Sequence, residues 1–81
     1  MRVNVLLFGP QAALAKKGEA PLELPDGATA EDALAALGEA EPALRDSLAT
    51  SRLAINHEFA LPSQSIRESD ELALIGMVSG G

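Results

Sequence analysis

Cysteine is absent from this 81-residue chain, and histidine occurs only once, at His57. Without cysteine, disulfides, thiolate metal sites and a cysteine nucleophile are all excluded. A single imidazole also excludes a multi-histidine metal site, so the sequence predicts no metal site. A Ser-His-Asp triad would depend entirely on His57. The composition therefore gives little support to side-chain catalysis, and we interpret His57 as a turn residue.

Basic residues are scarce as well. Six lysines and arginines stand against twelve aspartates and glutamates, for a net charge of −6. A nucleic-acid backbone would be repelled by this charge, so we expect no nucleic-acid partner. The acidic excess is concentrated between Glu19 and Asp46. It predicts either a solvated face that keeps a small domain soluble or a docking surface for a basic partner.

Long apolar runs are also missing. The apolar start of the chain, residues 1–8, is too short for a membrane-spanning helix and is interrupted by Gly9-Pro10. It lacks the cleavage pattern of a secretory signal. We therefore expect a cytoplasmic protein with no membrane partner. A chain of this length forms one domain with a thin core, since it buries only somewhat over ~60% of its unfolded surface.

Alternating apolar residues predict the strands of a small α+β domain. The alternation occurs at residues 2–8, 22–24, 53–55 and 72–75. Prolines beside the second strand confine it to an edge or to its ends. Asn56-His57 fits a tight turn into a short return strand. We expect the first and last strands to pair at the centre of a mixed sheet, within a single domain of residues 1–75.

One amphipathic helix is clearly marked in the sequence. Thr29 is suited to the N-cap, and apolar residues follow helical spacing over residues 30–37. Gly38 is expected to end this helix. A shorter, alanine-rich helix is predicted over residues 11–17, with Gly18 as its stop. The main helix should pack across one face of the sheet.

The last strand leads directly into a glycine-rich end. Alternation over residues 72–75 sends Ala73 and Ile75 to the face opposite to the core. The chain then finishes at Gly80-Gly81, with no polar linker after the strand. We expect residues 76–81 to form a flexible tail whose direction is set by the strand.

Aromatic residues are limited to two phenylalanines. Phe59, on a short strand, belongs either to the core or to an apolar patch with Ala73 and Ile75 that docks on a partner. We expect Phe59 and Ile75 to be partner contacts. Phe8 is expected in the core or at its rim.

Four segments in this order resemble the MoaD/ThiS sulfur-carrier family. They are Val3-Asn4-Val5-Leu6-Leu7-Phe8, Leu24-Pro25-Asp26-Gly27-Ala28-Thr29, Leu53-Ala54-Ile55-Asn56, and Asp70-Glu71-Leu72-Ala73-Leu74 followed by Val78-Ser79-Gly80-Gly81. The resemblance extends over essentially the whole chain and is greatest to the branch that serves molybdopterin synthesis. It implies a ubiquitin-like β-grasp fold, with one main helix packed across a mixed sheet.

The resemblance also implies that the chain end carries the chemistry. An ATP-dependent adenylating enzyme would activate the carboxylate of Gly81, which would then become a thiocarboxylate. The tail residues Val78, Ser79 and Gly80 would enter the large subunit of molybdopterin synthase, where sulfur passes to a pterin precursor. The carrier would be no enzyme itself, because the large subunit supplies catalysis. It would hold no cofactor permanently, since ATP is used by the activating enzyme.

One departure from the family pattern leaves the branch open. Molybdopterin-type members often carry Pro-Pro before the terminal tetrapeptide, whereas this chain has Gly76-Met77. The tail base should therefore be more flexible than usual. A thiazole-pathway carrier would also fit, although the insertion from Pro10 to Gly18 favours the molybdopterin branch. A ubiquitin-like modifier joined through Gly81 to lysines, or an interaction domain with an inert tail, is compatible with the same residues.

Overall fold

The computed structural model describes residues 1–77. The strands are β1 (Arg2–Leu7), β2 (Glu19–Glu23), β3 (Ser51–Ile55), β4 (Glu58–Phe59) and β5 (Leu72–Gly76). The α-helices are α1 (Gly9–Ala15), α2 (Ala30–Ala40) and α3 (Arg45–Leu48), and a 3₁₀ turn at Pro42–Leu44 precedes α3.

The strands form one mixed sheet in the order β2-β1-β5-β3-β4. β1 runs parallel to β5 and antiparallel to β2, while β5 runs antiparallel to β3. The last strand is thus the middle one, which confirms the predicted central pairing of the first and last strands. β2 lies at the edge, where Pro21 is tolerated because an edge strand has one side without ladder bonds.

The core lies between one face of the sheet and α2. The largest fully buried side chains come from β1, β5, α2 and the 3₁₀ turn; they are Val5, Leu72, Leu74, Leu37 and Leu44. Each fully buried aliphatic side chain of this kind stabilises the fold by about 1.5–3 kcal/mol. The opposite face of the sheet is left without a covering helix in the described part of the chain.

Helix α2 begins as predicted. The Asp32 N–H donates to the Thr29 hydroxyl over 3.3 Å, and the Thr29 N–H donates to the Asp32 carboxylate over 2.9 Å. Aspartate therefore completes the reciprocal capping box in which glutamate or glutamine is more common. Ala30, Ala33 and Leu37 form the buried side of the helix.

The prediction that Gly38 ends α2 is wrong. The helix continues to Ala40, and Gly38 lies inside it without the left-handed backbone that a glycine stop adopts. Its carbonyl accepts a hydrogen bond from Arg45 Nε over 2.9 Å. A Cβ at this position would lie 3.1 Å from Leu48 Cδ1. Glycine is therefore explained by the close packing of α3 against α2.

The predicted stop of α1 at Gly18 is also wrong. The helix begins at Gly9, ends at Ala15, and is closed by Lys16 in the left-handed conformation with φ 58°. The Gly18 carbonyl instead accepts a hydrogen bond from Leu7 N–H over 2.9 Å. Gly18 has therefore already turned back towards the sheet, next to the start of β2.

The predicted hairpin turn at Asn56-His57 is confirmed. Both residues have positive φ, 52° and 71°, as required of the two central residues of a type I′ turn. Ile66 is 3% exposed and anchors the following loop to the core, also as expected. With α2 packed across a mixed sheet, the α+β ubiquitin-like β-grasp prediction is confirmed.

Candidate partner-binding groove and tail base

Strand β5 separates the core from the open face of the sheet. Leu72 and Leu74 are fully buried beneath the helices, whereas Ala73 and Ile75 are half-buried on the other side. The face assignment predicted from alternation is therefore confirmed. The same strand is followed in the sequence by the glycine-rich end of the chain.

A shallow apolar groove of about 320 Å³ occupies the open face. It crosses the three adjacent strands β1, β5 and β3 and reaches β4 and the loops beside them. Its lining residues are Leu6, Phe8, Ala54, His57, Phe59, Glu71, Ala73 and Ile75. The structure thus brings Phe59 and Ile75 together with Ala73, as the predicted patch requires. Concave apolar surfaces with a few polar groups beside them are typical of binding sites.

Both phenylalanines lie in this groove. Phe59 is 49% exposed, with the Arg52 guanidinium carbon 4.5 Å from its ring centroid. Phe8 is 53% exposed, so its predicted place in the core or at its rim is wrong. Leu6 and Phe8 alternate with the buried Leu7, and this alternation is the signal that places them on the open face.

Polar groups border one end of the groove. His57 Nε2 lies 2.7 Å from Glu71 Oε2, and the His57 side chain is 86% exposed. Neighbouring Asn56 joins the β3–β4 turn to the segment before β5. Its side-chain amide donates to Asp70 Oδ1, and its side-chain oxygen accepts from Glu71 N–H, both over 2.9 Å. The interpretation of His57 as a turn residue holds, with an added contact that the sequence did not reveal.

Asp70 accepts two hydrogen bonds in this border. The Arg67 N–H, 2.8 Å from Asp70 Oδ2, is the main reason that the Asp70 pKa is lowered. The Asn56 side-chain amide lowers that pKa further, because both donors favour the ionised carboxylate. The ionised form of Asp70 thus stabilises the loop that leads into β5.

The tail base is held by the sheet. Gly76 pairs with Ser51 of β3, and Met77 N–H donates to the Thr50 carbonyl over 2.8 Å. The sequence predicts a looser tail base because the family's prolines are missing, yet Met77 uses an N–H that proline lacks. The predicted tail and reaction residues Val78, Ser79, Gly80 and Gly81 lie outside the described residues.

Residues 1–77 contain neither a membrane-spanning helix nor a metal-binding cluster. Within that span, no helix has the length and apolar character that crossing a membrane requires. Over the same residues, histidines and carboxylates form no group of three that could hold a metal ion. Within the described residues, the candidate site consists of the apolar groove and of strand β5.

Comparison with known proteins relates this geometry to a family. The model of the ThiS family matches residues 5–81. The molybdopterin synthase sulfur carrier subunit of Chlamydomonas reinhardtii is 37% identical over 83 residues, with both chains covered completely. The protein of the same name from Arabidopsis thaliana is 32% identical, covering this whole chain and 84% of the relative.

Solved structures share the fold. SAMP1 from Haloferax volcanii has a TM-score of 0.88 and 30% identity, with both chains covered completely. A chain in the complex of subunits 1 and 2 of molybdopterin-converting factor from Helicobacter pylori has a TM-score of 0.70 over the full length of both chains. At 24% identity, the latter supports the fold alone. On the family match and the two full-length relatives, the chain belongs to the ThiS family, and the predicted sulfur-carrier resemblance is confirmed.

Proposed function

We propose that this chain is the sulfur carrier subunit of a molybdopterin synthase. It presents the C-terminal carboxylate of Gly81 for adenylation, receives sulfur there as a thiocarboxylate, and donates that sulfur to a pterin precursor. Adenylation is required because a free carboxylate is a poor electrophile, and the adenylate provides a good leaving group. The chain is not an enzyme in this scheme; the large subunit supplies catalysis.

The observation that carries this proposal is the shared location of two features on one strand. The apolar groove includes Ala73 and Ile75 of β5, and the same strand continues into the segment that ends in Gly80-Gly81. Docking on the groove would therefore bring a partner against the root of the reactive end. The two curated relatives, both named as sulfur carrier subunits of molybdopterin synthase, support the molybdopterin branch.

The groove is the proposed contact surface for the large subunit. Phe59 and Ile75 remain our principal partner-contact residues, and Phe8 is added because it is 53% exposed in the same groove. Aromatic side chains commonly carry much of the binding energy of an interface. Met77, the last of the described residues, is bonded to Thr50, and four residues of extended chain span about 13 Å at ~3.3 Å per residue.

The scheme has two protein partners and one transient nucleotide. The adenylating enzyme binds and consumes ATP, and the carrier holds no permanent cofactor. The large subunit receives Val78, Ser79 and Gly80 in a narrow channel, where residues with small or no side chains pass easily. A cytoplasmic location is part of the proposal, because the scheme requires a compartment that supplies ATP.

Reconstitution tests the proposed pathway. The chain is first loaded by an adenylating enzyme with ATP and a sulfur donor, and is then mixed with a molybdopterin synthase large subunit and the pterin precursor. We expect formation of the dithiolene product and return of the carrier to its carboxylate form. A loaded carrier that supports thiazole formation with a thiazole synthase but forms no dithiolene would refute the molybdopterin assignment.

A protein-modifier function is the second candidate. It is favoured by the 30% identity and TM-score of 0.88 to SAMP1, which is a small archaeal modifier protein. In that case the activated Gly81 would form isopeptide bonds with lysines of other proteins. Proteolysed extracts of cells that express the tagged chain would contain lysines linked to its C-terminal residues. Adducts that disappear when Gly81 is deleted would support this second function.

A further inference from the structure

The buried side-chain amide of Gln11 packs against Gly76, the first residue of the predicted tail. Among residues 1–77, buried polar side chains are confined to Gln11 of α1 and Ser51 of β3. Gln11 Nε2 donates to the Ser51 hydroxyl over 3.3 Å, and that hydroxyl donates to the Ser47 carbonyl over 2.7 Å. A buried amide needs such partners because desolvation without hydrogen bonds is costly. The network therefore fixes the position of Gln11 between α1 and the sheet.

Gly76 lies directly against this amide. A Cβ built at Gly76 would overlap Gln11 Nε2 and would lie 3.1 Å from both Gln11 Cδ and Gln11 Oε1. Gly76 does not have positive φ, so its backbone conformation does not require glycine. The requirement comes from the space that Gln11 occupies. A side chain at this position would force the Gln11 amide to move from its place beside Ser51.

Met77, the residue after Gly76, is bonded to the segment that precedes β3. Met77 N–H donates to the Thr50 carbonyl over 2.8 Å, one residue beyond the end of β5. Hydrogen-bonded pairs alternate along antiparallel strands, so Gly76 itself belongs to a pair without direct ladder bonds to β3. The position of Gly76 therefore depends on packing against the core face of the sheet, and Gln11 provides that packing.

From these contacts we propose that Gln11 is a positioning residue for sulfur loading. Its amide keeps Gly76 in β5 and Met77 bonded to Thr50, so these two residues have a fixed position when the adenylating enzyme binds. This inference rests on the proposed function. Without the amide, Gly76 and Met77 would lose order in the unbound carrier and would have to be ordered again on binding, which weakens productive association.

Variants separate this role from a general effect on folding. Gln11→Ala removes the amide, Ser51→Ala removes its hydrogen-bond partner, and Gly76→Ala pushes the amide away. Gln64→Ala is the matched control, because it makes the same chemical change at an exposed loop residue. Urea unfolding establishes which variants fold. If Gln11→Ala does not fold, the test uses Ser51→Ala and Gly76→Ala.

The first readout is independent of any partner. Deuterium exchange of the Met77 amide, followed by NMR, should become about tenfold faster in each of the three variants. Exchange at Ala73, deeper in the same strand, should not change. Exchange in the double variant Gln11→Ala/Gly76→Ala should be no faster than in either single variant, because both substitutions remove the same contact. An unchanged Met77 rate, or the same increase in Gln64→Ala, overturns the proposed contact.

The second readout measures loading by an adenylating enzyme that accepts the wild-type chain. We expect the KM for each of the three variants to rise about tenfold while kcat stays within twofold, since the cost falls on binding. Faster Met77 exchange with an unchanged KM would overturn the role in loading. If no adenylating enzyme loads the wild-type chain, the proposed function is refuted. The exchange measurement would still show whether Gln11 holds Gly76 and Met77 in place.

Discussion

Replacing Phe59 with alanine should weaken binding to the large subunit while leaving the carrier folded. Phe59 lies on the two-residue strand β4 and is 49% exposed, so its ring contributes less to the core than to the surface of the groove. Its exposed part is the area that a docked partner would cover. The effect on binding should therefore exceed the effect on stability.

The expected loss follows from the exposed area. A phenylalanine side chain buries roughly 150–250 Å² when fully covered, so the truncated exposed part is on the order of 80 Å². At about 25 cal/mol per Å², covering that area contributes about 2 kcal/mol. The dissociation constant should then rise about 30-fold in Phe59→Ala. The 49% exposure already leaves out the part of the ring that the Arg52 side chain covers, so the calculated loss needs no further reduction for Arg52.

Titration calorimetry with the purified large subunit measures this change. Leu61→Ala is the matched control, because Leu61 is 66% exposed and lies outside the groove lining. Its dissociation constant should remain within about twofold of the wild-type value, as is usual for surface positions that no partner covers. Equal weakening by Phe59→Ala and Leu61→Ala, or no weakening by Phe59→Ala, would refute the groove as the docking surface.

Three further predictions concern stability and pH, and each is checked by urea unfolding. Leu37→Ala should lower the free energy of unfolding by about 2–5 kcal/mol, because Leu37 is fully buried against the sheet; a loss below about 1 kcal/mol would contradict its place in the core. Thr29→Ala should cost about 1 kcal/mol by removing the α2 cap, and a variant as stable as the wild type would show that the capping box contributes nothing. Asp70→Asn should destabilise the fold at pH 7, where the ionised Asp70 accepts bonds from Arg67 and Asn56. Because the folded-state pKa of Asp70 is lowered, this stabilisation is present above the ordinary carboxyl pKa and is lost as pH falls through the lowered value. The difference in unfolding free energy between wild type and Asp70→Asn should therefore close in strong acid. A difference that widened there would contradict the pKa direction.

Local patterns predicted much of the fold. Alternation correctly placed Ala73 and Ile75 on the face opposite to Leu72 and Leu74, because side-chain direction in a strand depends only on sequence parity. The N-terminus of α2 was also predictable, since capping involves residues three positions apart. The family resemblance added the β-grasp topology, which no local pattern determines.

The errors arose where distant packing decides a residue's role. Gly38 and Gly18 look like helix stops, but one accommodates α3 and the other bonds to Leu7 on the return to the sheet. Phe8 was assigned to the core or its rim because β1 is apolar on both faces near its end, and the sequence does not reveal that helices cover only one of them. Gln11 is polar and would ordinarily be placed at the surface; only the structure shows its burial against Gly76.

Intact mass spectrometry after loading tests the central claim most directly. The chain is incubated with ATP, a sulfur donor and an adenylating enzyme, beside a control that lacks Gly81. The account predicts a mass gain equal to the replacement of one oxygen by sulfur in the full-length chain and no gain in the control. A gain that persists without Gly81, or no gain in a folded full-length chain with enzymes that load other members of the family, would contradict it.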